Sequence, residues 1–73
     1  MTPLPIQELD LVALICDLPS EHLTAGQVGT VVHVHTPEAF EVEFVDNDGQ
    51  TYALATLRSN QLLRLQFTPA EAA

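Results

Sequence analysis

A chain of 73 residues with ten carboxylates against two arginines has room for one domain, and its formal charge of -8 repels a phosphate backbone instead of binding it. Apolar residues make up 47 % but aromatic ones only 5 %, so the interior is aliphatic, packed from Val and Leu around Phe40, Phe44 and Tyr52. One cysteine, Cys16, excludes an internal disulfide and fits a reducing compartment.

In chain order, residues 1–7 hold two prolines and no periodicity, which predicts a flexible start. They also lack the basic residues and apolar stretch of a signal peptide, and no later run is long enough to cross a bilayer; the expectation is a cytoplasmic chain away from membranes. A single domain is expected over residues 8–67. Leu9 to Cys16 is nearly continuous apolar sequence ahead of Pro19, which predicts a first strand covered on both faces. Asp17 to Gln27, with Pro19, Ser20, Thr24 and Gly26, suits a long loop holding one helical turn.

Two glycines, Gly26 and Gly29, open a β-branched run and predict, as turn residues, a tight bend feeding a second strand over Val28 to His35. Strict alternation would turn Val28, Thr30, Val32 and Val34 inward and Gly29, Val31, His33 and His35 outward. Phe40 to Val45 is the clearest half-buried strand, with Phe40, Val42 and Phe44 alternating against Glu41 and Glu43. A connection through Thr36-Pro37-Glu38 would pair His35 with Ala39, Val34 with Phe40, His33 with Glu41 and Val32 with Val42. Asn47-Asp48-Gly49 predicts a hairpin with Gly49 in the left-handed region, setting Phe44 opposite Tyr52 and Val42 opposite Leu54, both inward. Thr51 to Leu57 is then a fourth strand, Arg58-Ser59-Asn60 a tight turn, Gln61 to Leu65 a brief fifth strand, and residues 68–73 a disordered tail. This order predicts an all-β fold: a small five-stranded SH3-like barrel with a long loop after strand 1 and a short 3-10 turn before strand 5, the alternative being an open antiparallel meander completed by dimerisation, whose edges would need covering.

The stretches Asp10-Leu11-Val12-Ala13-Leu14, Asp17-Leu18-Pro19, Gly26-Gln27-Val28-Gly29-Thr30-Val31-Val32, Glu41-Val42-Glu43-Phe44-Val45-Asp46 and Thr51-Tyr52-Ala53-Leu54 resemble the small bacterial proteins of the domain of unknown function 4926 family. The resemblance implies an accessory role, antitoxin-like, beside a genetically linked partner, and names no chemistry. The glycine-framed second strand is also similar to the KOW motif of ribosomal and transcription proteins, whose surfaces are basic where this one is acidic.

Four groups of residues suggest chemistry. His33 and His35 share a predicted outward face with Glu41 and Glu43, a set that could face zinc but shows no tight ligand spacing, so weak ion pairs are expected. Asp46, Asn47, Asp48 and Gly49 have the oxygen-rich composition of a calcium loop without its closing Glu, and hairpin chemistry accounts for them. Cys16 lies near His22 in sequence, yet ends an apolar strand of an acidic chain, where a thiolate is disfavoured. One Tyr and no Trp cannot furnish the aromatic shelf of a proline-peptide groove.

The expectation is therefore a non-catalytic adaptor without metal or cofactor, a monomer or weak dimer. It would dock a protein, with a genetically linked basic partner as the candidate, through Glu21, His22, His33, His35, Glu41 and Glu43. A KOW-like nucleic-acid or ribosome-associated module is the alternative, disfavoured by charge.

Overall fold

The computed structural model describes residues 5–66, and the tail expected over residues 68–73 lies outside them. Five antiparallel strands form one sheet in the order β4-β3-β2-β1-β5: β1 Leu11–Leu14, β2 Val28–Thr36, β3 Ala39–Val45, β4 Thr51–Arg58 and β5 Leu62–Arg64. A 3-10 turn, Pro19–Glu21, lies in the long connection after β1, and another, Ser59–Gln61, joins β4 to β5. The fold is all-β, as the order of alternating runs and turn residues predicts.

β3 organises the interior. Phe40, Val42 and Phe44 are buried on its inner face, and around them pack Val12 and Leu14 of β1, Val31 of β2, Ala55 and Leu57 of β4, and Leu62 of β5. Ile6 also packs against this cluster, so the ordered chain reaches into the segment expected to be flexible. Leu23 completes the core from the long loop, where it exchanges backbone hydrogen bonds with Leu18. The loop is tied down further by the Ala25 N–H donating to Asp17 Oδ1 (2.9 Å) and the Gly26 N–H donating to the Leu14 carbonyl (2.7 Å).

β1 is shorter than expected and buried on one face, with Val12 and Leu14 inward and Leu9 and Ile15 exposed. Leu11 to Ala13 pair with β2 and Val12 to Leu14 with β5, so only Val12 and Ala13 have a ladder partner on both sides, which limits how much of the apolar run the sheet can cover.

β2 reverses part of its predicted phase. Val31 is fully buried and pairs with Val42, whereas Val28 and Val32 are exposed and Thr30 is only half-buried. A β-bulge at Val32 inserts one unpaired residue, after which His33 faces Glu41 and Val34 faces Phe40, as expected. A second bulge, at His35, sets Thr36 instead of His35 opposite Ala39 and leaves Pro37 and Glu38 as the loop. Gly29 is no turn residue: it is buried within β2, opposite Phe44.

β4 is corrected in the same way. Gly49 adopts φ +80 and the Asp46 N–H bonds the Gln50 carbonyl, so the hairpin forms as predicted and Val45 meets Thr51. A bulge at Tyr52 then sets Phe44 opposite Ala53 and Val42 opposite Ala55. Tyr52 and Leu54 are 44 % and 55 % exposed, not inward. Phe44 and Val42 of β3 thus meet small residues of β4, while Phe40 meets Leu57 at the other end of the ladder.

Candidate functional site

The outer side of the β2–β3 hairpin carries the clearest gathering of titratable side chains. β3 alternates, so burying Phe40, Val42 and Phe44 turns Glu41 and Glu43 to the opposite face. His33 pairs with Glu41 across the ladder. The bulge at His35 adds the second imidazole: its ring stands edge-on to that of His33, centroids 4.7 Å apart, and its Nε2 donates to Glu41 Oε1 at 3.0 Å. Both partners are partly exposed, which places the contact among weak surface pairs.

Glu43 does not join them. Its Oε2 accepts from the Thr51 hydroxyl at 2.8 Å, one strand further along the sheet. Glu21 and His22 sit on the loop after β1, exposed, with His22 in the left-handed conformation that ends the 3-10 turn. Among the described residues neither makes a side-chain hydrogen bond to the hairpin, and no group of three or more His, Cys, Asp or Glu is placed to hold a metal ion. Cys16 is a half-buried free thiol at the boundary of the core. Asp46 acts as a turn residue: its Oδ1 accepts from the Asp48 and Gln50 N–H groups (2.9 and 3.0 Å).

Sequence reasoning missed two features. Arg64 of β5 donates through Nε to Asp10 Oδ2 (2.9 Å), joining residues 54 positions apart, while the Gln7 N–H donates to the same oxygen (2.8 Å). Partial burial pushes the Asp10 carboxyl up, but the Gln7 N–H and the Arg64 guanidinium together hold it below the usual carboxylate range. A cavity of about 430 Å³ is lined by Ile6, Pro37, Phe40, Leu62 and Arg64 among others. Its walls come from distant parts of the chain, so no local motif announces it.

The sequence matches the family described as Domain of unknown function (DUF4926) over residues 8–64, more than half of the chain. The chain belongs to that family. The DUF4926 match takes in all five strands and both 3-10 turns, and with them His33, His35, Glu41 and Glu43. No curated protein and no solved structure matches the chain. Among the described residues no helix is long and apolar enough to cross a membrane.

Proposed function

We propose that this DUF4926 chain is a non-catalytic accessory protein that docks a basic protein partner, with the outer side of the β2–β3 hairpin as the contact surface. The observation that carries this reading is an acidic surface with little cationic relief. Of two arginines against ten carboxylates, Arg64 is already paired with Asp10, and Glu41 and Glu43 stand side by side on an open sheet face. Such a field speeds encounter with a basic surface and repels nucleic acid.

The sheet order, with its long connection after β1 and 3-10 turn before β5, agrees with an SH3-like barrel, a scaffold that hosts many binding roles. A bacterial, cytoplasmic, antitoxin-like setting beside a linked basic protein fits the same reading. Glu21 and His22 would extend the surface from the loop.

Cross-linking and affinity capture from the source cell test it. The expected result is a basic protein whose cross-links map to β2 and β3, and whose capture falls with added salt and in a Glu41→Lys/Glu43→Lys chain. Capture insensitive to both changes overturns the assignment of the surface. Salt-sensitive shifts of RNA or DNA would favour the KOW-like alternative, and turnover of a substrate would overturn the non-catalytic reading.

A further inference from the structure

The two edges of the sheet are unlike. β5 offers three residues and ends in Arg64, which is held by Asp10. β4 offers eight, Thr51–Arg58, and among the described residues its ladder partners are all in β3. From Thr51 to Leu57 this edge carries no charge and no proline, and Leu54 is exposed on it. Folded proteins normally blunt such an edge with charge, proline or brevity, because its free N–H and C=O groups template another strand.

We infer that β4 is a self-association edge, on which a second copy of this chain adds its own β4 antiparallel to form a two-fold dimer with a continuous ten-stranded sheet. Two features select a second copy. A two-fold antiparallel seam centred on Leu54 sets the charge-free run Thr51 to Leu57 of one copy against the same run of the other, with Thr51 facing Leu57 and Ala-Leu-Ala at the centre, so the patch is complementary to itself. Small residues at Ala53 and Ala55 keep the inner side of the new seam free of clashes, while Leu54 of each copy lies at the axis on the other side.

Charge supplies the second feature. Arg58 closes one end of β4, and the acidic hairpin of Asp46 and Asp48 closes the other. Antiparallel pairing brings each Arg58 to the partner's acidic end, twice per dimer. It gives a role to the one arginine that makes no ion pair among the described residues. This inference is independent of the partner proposed above, since it uses the opposite edge from β5 and none of the His33, His35 and Glu41 group.

Sedimentation of the full chain over a concentration series, with hydrogen exchange at both ends of the series, tests it. The expected result is a reversible monomer–dimer equilibrium in which amides of β4 gain protection with concentration and those of β5 do not. Arg58→Glu and Leu54→Lys each change an exposed side chain; either is expected to weaken the dimer about tenfold while far-UV circular dichroism stays unchanged. A monomer at every concentration up to about 1 mM overturns the inference. So does a dimer whose protection maps away from β4, one that tolerates both substitutions, or β4 amides protected equally at all concentrations, which would mean that the edge is covered within one chain.

Discussion

Gly29 of β2 lies opposite Phe44 of β3, and Val42, the Glu43 carbonyl and the Phe44 ring together crowd the space where any side chain on Gly29 would stand. A methyl there would come within 3.0 Å of Phe44 Cδ2 and 2.6 Å of Val42 Cγ1, and 2.9 Å from the Glu43 carbonyl oxygen. Two of these neighbours are fully buried side chains and the third is backbone, so none can give way cheaply. Gly29→Ala is therefore expected to cost about 1–3 kcal/mol, measured by urea unfolding. An unchanged midpoint would show that β2 and β3 are further apart than the ladder indicates.

The bulge at Val32 lets Val31 and Val34, three positions apart, both turn toward the core and leaves Val32 outside it. Val31 is fully buried and Val32 is 37 % exposed. Val31→Thr places a hydroxyl in the core and is expected to cost about 1–3 kcal/mol, while Val32→Thr should change stability by no more than about 0.5 kcal/mol. A larger loss at Val32 than at Val31 in thermal melts would remove the bulge and restore the strict phase read from the sequence.

That bulge also marks where the sequence stops being legible. β3 could be read because Phe40, Val42 and Phe44 alternate with two glutamates, and only one phase buries them all. β2 has valine at 28, 31, 32 and 34, so hydrophobicity favours the phase that turns 28, 32 and 34 inward, and the bulge that overturns it leaves no compositional trace. β4 misleads more strongly. Ala53 and Ala55 face the core while Tyr52 and Leu54 do not, because Phe44 and Val42 opposite already fill the volume. Complementarity between strands, not the apolar character of either, decides it. The His33–Glu41 pairing followed from the register, whereas the His35 contact depends on a second bulge and the Asp10–Arg64 pair joins the two ends of the domain.

The Asp10–Arg64 pair predicts a pH dependence with a definite sign. The folded state holds the Asp10 carboxyl below its unfolded value of about 3.9, so its contribution is fully present above that pH and is lost as pH falls through the folded value. Asp10→Asn is expected to destabilise the chain by about 1 kcal/mol at pH 7 and by progressively less as the carboxyl protonates in acid. Denaturant melts of both chains from pH 7 to pH 2 check this; a difference that grows on acidification would contradict the assignment.

Leu23 connects the long loop to the core, and with it the exposed Glu21 and His22 beside it. The side chain is 2 % exposed, and the Leu18 and Leu23 backbones bond each other at 2.8 and 3.1 Å, closing the 3-10 turn over the end of the sheet. Leu23→Ala would remove a buried side chain that no strand supplies, at an expected cost of about 2–5 kcal/mol. The loop should loosen before the sheet does, because its remaining ties are the half-buried Leu18, a few backbone bonds and the Asp17–Ala25 contact. Hydrogen exchange of the variant should therefore show faster amides over residues 18–25 than over β3. Uniform acceleration across both would mean that loop and sheet open as one cooperative unit.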